Sequence, residues 1–488
     1  MTTTHTGDSE KAQIQHAELI PDNTSVSEEH RQYLIEKHGT ADLDPLPDMN
    51  DADPHNWPHR KKVTNLALVA FHGLMATFTA AAIQSAFVDI ALDLHVSIQR
   101  ASYLTSLVIA VLGGAPLFWR PLSDRYGRRP VFLISLVGSL VGNIGCAVCP
   151  SYGTMGLCRA ITGFFICPAA ALGSGVVAET FFKRQRAYYL GIWTVLVTLG
   201  VPSAPFIFGF VALRVGYRWI YWTLAITNAI QLLLYTFFGP ETRYIKAHGS
   251  RVDAATTSLF RFRRIDPTAL KLVDFVRPLG LATSLCVFIP AAAYAMVFLF
   301  ASILISIEIP QIFPEQFGFN TQQVGLQNLS IIIGSLLGEQ IGGYMSDFWM
   351  RRSARAEFRL WLSYLGYALA IGGTAMFLVC TMKAGEKWNI SPLIGAAIAA
   401  GGNQIVTTVL ISYSIDCYPQ NAAGIGTFVN FVRQIWGFIG PFWFHSMIRS
   451  VGLDGSAGVV AALIVGVSVL PTVALQRRGY RWHKDATY

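Results

Sequence analysis

The chain has 488 residues, of which 52% are hydrophobic and only 14% charged, where soluble domains carry about 25% charged residues; this excludes a secreted disulfide scaffold, a disordered chain and a cytosolic two-domain enzyme. The net charge of +8 hides a split, with 12 acidic and 4 basic side chains in residues 1–60 against 17 and 33 in the remainder. The later cations sit in short loops between apolar blocks, a pattern that orients membrane proteins and is not a nucleic-acid footprint.

Residues 1–60 lack the charged-then-apolar pattern of a signal peptide and read as a disordered acidic cytosolic tail, with a short helix over Ser27–His38. Twelve apolar blocks follow, near 63–87, 101–121, 130–149, 153–178, 187–211, 219–239, 283–308, 324–345, 358–381, 391–415, 424–449 and 456–475. Each is long enough to cross a hydrocarbon core of about 30 Å as a helix. The polar, basic stretch Pro240–Gly280 divides them six and six. The expected organisation is a tail (1–60), a six-helix bundle (61–240), a basic cytosolic loop (241–282), a second six-helix bundle (283–475) and a short cytosolic tail (476–488). The fold class is all-α and polytopic.

With the N-terminus in the cytoplasm, the inside segments collect 25 of the 33 cations after residue 60, and the outside loops six. This predicts both termini inside. Asn389 heads the only sequon, Asn389-Ile-Ser391, that this topology exposes outside, so it is the candidate glycosylation site. The charge pattern names no organelle; the plasma membrane is expected, with the vacuolar membrane also open. The seven cysteines lie in or beside apolar blocks, and the lone pair Cys146 and Cys149 has no companion, so neither a disulfide framework nor a metal site is expected.

One motif occurs twice. Arg120-Pro-Leu-Ser-Asp124-Arg125-Tyr-Gly127-Arg128-Arg129-Pro130 follows the second block, and Gly343-Tyr-Met-Ser-Asp347-Phe-Trp-Met-Arg351-Arg352 follows the eighth. Two halves carrying one motif at one place mark a repeat-built transporter. A carboxylate such as Asp124 at a helix end pairs with Arg128 or faces the positive end of a neighbouring helix. Asp124, Arg125, Gly127, Arg128, Arg129, Asp347 and Arg351 are therefore the candidate gate.

The Leu122–Pro130 run resembles the loop signature of the major facilitator superfamily. Arg159-Ala-Ile-Thr-Gly163 in the fourth block and the segment carrying Gly200, Pro202, Pro205 and Gly209 in the fifth are similar to motifs of its fungal drug:proton antiporter branch with twelve spans. So are Asp53-Pro-His-Asn-Trp57-Pro58, Pro240-Glu241-Thr242, and Asp416-Cys-Tyr-Pro419 with Arg433. The resemblance covers residues 50–475 and implies two six-helix bundles that open alternately to each side. Three positions depart from the family pattern: Arg120, Ala204 and Phe208 stand where Gly is usual.

The resemblance also implies that Arg159 faces the central cavity and helps couple protons to substrate. Arg433 lies about 13 Å into the eleventh block and needs a partner, which Glu339 or Asp416 could supply. Glu339, with a raised pKa, could itself carry a proton. Asp89 and Glu308 read as rim residues at helix ends, and His72 as a core residue. Gln84, Tyr294, Asn403, Gln404, Tyr413, Asn430 and Trp436 are candidates to line a substrate cavity, since unpaired amides in a bilayer are costly.

No Gly-Lys dipeptide exists for a phosphate-cradling loop, and no metalloprotease or dinucleotide motif appears, so no enzyme activity, cofactor or metal is expected. The leading expectation is a proton-coupled exporter of small amphipathic compounds, drugs or a fungal secondary metabolite. Its partners would be the substrate, protons and the bilayer, without nucleic acid, and the expected state is a monomer. Uptake of a polyamine, organic cation or other nutrient is the alternative; a non-transporting nutrient sensor is more distant, and a membrane-bound enzyme is disfavoured.

Overall fold

Backbone inside a bilayer has no water to bond, so an isolated apolar segment must satisfy its own amides, and the helix does so residue by residue. The computed structural model describes residues 27–245, 264–266, 268–350 and 356–484, and all regular structure among them is helical. Ten stretches are long and apolar enough to cross a membrane. Nine are His59–Asp93, Ile98–Tyr126, Arg128–Val148, Tyr152–Thr180, Lys183–Val215, Arg218–Phe238, Leu285–Phe317, Ala356–Ala384 and Ser391–Cys417, hereafter spans 1 to 7, 9 and 10. The last, Pro441–Gly479, is two helices merged across a break at Gly452, where φ is 74°. Span 8, Thr321–Met350, and span 11, Ala422–Ile439, complete the twelve; polar side chains such as Gln327, Asn328 and Glu339 in one, and Asn430, Arg433 and Gln434 in the other, dilute their apolar character. Span 11 runs on through Gly440 into Pro441, and span 12 follows Gly452.

Small residues let the helices close. A Cβ on Gly338 of span 8 would sit 2.6 Å from Gly401 Cα of span 10, and Gly334, Gly338 and Gly342 repeat at the four-residue interval that brings membrane helices into backbone contact. The two halves meet along spans 2 and 11 and along spans 5 and 8.

Four spans are interrupted, span 12 by a π turn over Val465–Val469. Span 1 breaks after Ala81 into a 3-10 turn, Gln84–Ala86, before resuming as Phe87–Asp93. Span 4 is divided at Pro168, which supplies no N–H to the preceding turn. Span 7 contains a π turn over Leu299–Leu304.

The loops after spans 2 and 4 place Arg125, Arg128, Arg129, Lys183, Arg184 and Arg186 at one end, the basic end. The opposite, far end is sealed between the halves. There Gln99 Nε2 donates to Pro441 O at 2.6 Å, Thr321 Oγ1 donates to Asp89 Oδ2 at 2.8 Å, and Tyr103 stacks on Phe442 at 4.6 Å. The end of span 1 also packs on Ile305–Phe317 of span 7.

Two sequence readings need correction. The tail expected to be disordered is folded from Glu28 onward. The helix Glu28–His38 is capped by Ser27, and the Asp53-Pro54-His55-Asn56 turn packs behind it, with Asn56 Nδ2 donating to Asp48 O and Asn50 O at 2.6 and 2.8 Å. His38 and His55 close on the Phe182 ring at 5.3 and 5.4 Å, so the segment is held by the loop between spans 4 and 5. Composition alone missed this because the buried residues, Leu34, Pro47, Asp53, Pro54, Asn56 and Trp57, are few and scattered in a polar stretch. The second correction concerns span 7, which ends at Phe317, nine residues beyond Glu308. Glu308 is consequently 1% exposed and not a rim residue. The charge and the following Pro310 imitate a helix end, yet the helix continues through Pro310 and Pro314.

Candidate functional site

The centre of the molecule is built around Arg433. Span 11 places its guanidinium against span 7, where Nη1 donates to the Tyr294 hydroxyl at 3.0 Å and Nη2 to Asn430 Oδ1 at 2.8 Å. The guanidinium also lies 4.7 Å from the Phe298 ring centre. Asn430 Nδ2 donates to Leu112 O of span 2 at 3.2 Å, so the cluster bridges both halves. Neither expected carboxylate reaches it. Asp416 pairs with Arg359 at 3.2 Å, and Glu339 accepts from Gln404 Nε2 at 3.0 Å. A cation held by an aromatic face, a hydroxyl and an amide keeps charge to offer a ligand.

Gln404 in turn accepts from Asn403 at 3.3 Å, so Asn403, Gln404 and Glu339 form one polar file between spans 8 and 10. Trp436 is half-buried on span 11. Two other expected cavity residues lie elsewhere. Gln84 is buried in the span 1 break, and Tyr413 is buried near the basic end of span 10, four residues from Cys417 where that helix stops. Position along an apolar block does not report which level or face a side chain occupies.

Arg159 is 1% exposed and is enclosed by its neighbours. Its Nη1 and Nη2 donate to Thr79 O and Ala80 O at 3.1 and 3.0 Å. Those carbonyls belong to the last turn before the span 1 break, where no helical N–H remains to meet them. Arg159 is thus the cap of a broken helix.

At the basic end the loop motif forms a lock. Gly127 has φ 98°, disfavoured for any side chain, and joins spans 2 and 3. The Glu241 carboxylate accepts from Arg128 N and Arg129 N at 2.8 and 3.0 Å, capping span 3. Burial pushes the Glu241 carboxyl above its ordinary value, against the pull of backbone N–H groups of Arg243, Arg128 and Arg129. Arg128 pairs with Asp124 at 2.9 Å and with Glu179 at 2.9 Å, and Thr242 donates to Glu179 at 2.9 Å. Arg125 pairs with Asp266, and Arg129 Nη2 donates to Thr236 O at 2.8 Å. Asp347 stands near the end of span 8, and Arg351 lies outside the described residues. Glu179 was not singled out in the sequence, although a carboxylate at the basic end of span 4 opposite an arginine loop is a usable signal.

Arg120, in the place of the usual Gly, turns its bulk to use. Its guanidinium donates to Ala423 O and, at 2.9 Å, to Thr427 Oγ1 on span 11, tying the halves together. The fifth-span motif also spans both halves. A Cβ on Gly209 would lie 2.9 Å from Thr321 O of span 8, and one on Gly200 would lie 2.6 Å from Leu74 O of span 1. Pro202 and Pro205 sit inside the same helix. Phe208 packs on Phe78 of span 1 at 5.1 Å, and Ala204 is fully buried.

Twelve membrane helices in two halves, with polar contacts that bridge them, are the build of a multi-pass membrane transporter. A family model described as the Major Facilitator Superfamily matches residues 69–441, and the chain belongs to that family, whose members are transporters rather than enzymes. It is 24% identical over 467 residues to the efflux pump radE of Floropilus chiversii, covering 88% of this chain and 85% of the relative. To the MFS-type transporter R5 of a Phoma species it is 27% identical over 453 residues, 86% of each chain. To the multidrug transporter FLU1 of Candida albicans it is 26% identical over 444 residues, covering 86% of this chain and 71% of that one.

Proposed function

We propose that the protein is a proton-coupled exporter of small amphipathic compounds, with its basic end in the cytoplasm. The observation that carries this reading is Arg433: a cation walled by Tyr294 and Phe298, bridged through Asn430 to the other half, with no carboxylate among the described residues paired to it. Such a site suits a compound with an aromatic or aliphatic body and an anionic or hydrogen-bond-accepting group. A polyamine or organic cation would meet repulsion there, which weighs against the uptake reading. Relatives named as efflux pumps support export, and the loop cations support the orientation. That orientation puts both termini in the cytoplasm and the exposed Asn389 outside as a glycan acceptor, with the plasma membrane as the expected site and the vacuolar membrane as the alternative.

Substrate would enter from the basic end once the Arg120 bonds to span 11 part, and would meet Arg433. Opening the far end would then require the contacts of spans 1, 2, 5, 7, 8 and 11 to separate, while the Arg120 bonds to span 11 hold the basic end. In inverted vesicles with an acid interior, an amphipathic aryl sulfonate should accumulate in the lumen, and a protonophore should abolish this. Arg433→Gln should cut that accumulation about tenfold or more, the scale of one lost charge-assisted hydrogen bond. Full accumulation by that variant, or accumulation of spermidine instead of the sulfonate, would overturn the reading.

A further inference from the structure

Glu308 has no place in the scheme above, yet it is the most deeply isolated acid among the described residues. It lies about 14 Å along span 7 from Phe317, at nine residues of helical rise. The side chain is 1% exposed, and its contact is Gln311 Nε2 at 3.5 Å, one turn further along the same helix. No cation among the described residues pairs with it. An ionised carboxylate with neither water nor counter-charge does not persist in an apolar interior. In this closed setting, shut off from water, Glu308 is therefore present as the neutral acid.

Its surroundings are built from broken helices. The π turn Leu299–Leu304 directly precedes the helical segment that carries Glu308, and π turns concentrate at functional sites. Packed on that segment is the 3-10 break of span 1, where Gln84 Oε1 and Ser85 Oγ are buried without a partner. Spans 1 and 7 are thus both interrupted in the region of the Glu308 segment, span 1 by a 3-10 turn and span 7 by a π turn. The charged groups carried near the far end by the packed elements are Asp89, Asp93 and Arg100. Asp89 accepts from Thr321, Asp93 pairs with Arg218, and Arg100 lies over the Tyr152 ring, so each is engaged elsewhere.

We infer that Glu308 is the acid that loads the driving proton, an inference that rests on the proton-coupled reading. With the far end open, the Glu308 carboxylate takes one proton from the water there and becomes the carboxylic acid. The far end closes only over this neutral form. Once water reaches it from the basic end, the acid gives up the proton past Ser306 and Ser302 and across the π turn toward Tyr294, and returns to the carboxylate. Ser306 Oγ already donates to Ser302 O at 2.6 Å along that path.

The test uses the full chain in liposomes, with Glu308→Gln as a permanent mimic of the neutral acid and Glu308→Asp as the conservative control. Expected for Glu308→Gln is loss of gradient-driven accumulation of the aryl sulfonate to the passive level, with downhill equilibration retained; Glu308→Asp should restore part of the accumulation. Accumulation by Glu308→Gln equal to that of the parent chain overturns the inference. Because the variant could fail to fold, a second arm treats the unmodified protein with dicyclohexylcarbodiimide, which reacts with protonated carboxyls in apolar settings. Peptide mass spectrometry should find Glu308 modified rapidly in acid and slowly in alkali, and an unmodified Glu308 in both overturns the inference. Should the parent chain concentrate no probe, the export reading falls by itself, and the carbodiimide arm still decides whether Glu308 bears a proton.

Discussion

Arg120, Arg159 and Arg433 were all visible in the sequence as charges needing an explanation, and each finds partners that spacing does not reveal. Arg433 meets a tyrosine, an amide and a phenylalanine in place of an acid. Arg159 meets two backbone carbonyls, which carry no side-chain signature in any sequence. Replacing Arg159 by Ala should leave Thr79 O and Ala80 O buried and unpaired, at about 1–3 kcal/mol each. A fall in the thermal unfolding midpoint in detergent checks this, and a midpoint equal to the parent's would remove Arg159 as the cap of span 1. Gly127→Ala would force a side chain into φ 98° and against Glu241, costing about 1–2 kcal/mol for the backbone alone. Its effect should be read from the same unfolding curve.

Helices were the legible part of the chain. Twelve apolar blocks became twelve membrane helices, because length and hydropathy act on each segment separately. Their ends were less legible: Glu308 and Pro310 look like a terminus but stand inside span 7. In the folded segment before span 1 the helix Glu28–His38 was legible, while the polar turn that holds it was hidden. Asp53 is central to that turn. Burial alone would raise its carboxyl, but the His55 side chain and the Asp48 and His55 amides hold it below the usual carboxylate value. A carboxyl lowered by folding stabilises above its unfolded pKa of about 3.9 and loses that contribution as pH falls through the folded value. Protease protection of the 43–57 segment should therefore persist down to about pH 4 and be lost below it, and Asp53→Asn should flatten this dependence. Protection of Asp53→Asn that falls just as steeply would place the sensitivity elsewhere.

For the molecule as a whole, the sequence suggested two six-helix halves, whereas nothing in it showed which surfaces join them. That information lies in close approaches such as Gly209 to Thr321 and in bonds such as Arg120 to Thr427. Arg120→Gly should free span 2 from span 11 at the basic end and raise the rate at which a cysteine placed at position 423 reacts with a maleimide. An unchanged rate would mean that the Arg120 contacts do not hold that end. The central claim is that substrate and proton move in opposite directions through one alternating site. Inverted vesicles carrying a lumenal pH dye, with no gradient imposed, test it most directly. On addition of the aryl sulfonate, which carries no titratable proton of its own, the lumen should turn alkaline as protons leave in exchange. A lumen that acidifies, or keeps its pH while the sulfonate enters, would contradict proton-coupled export.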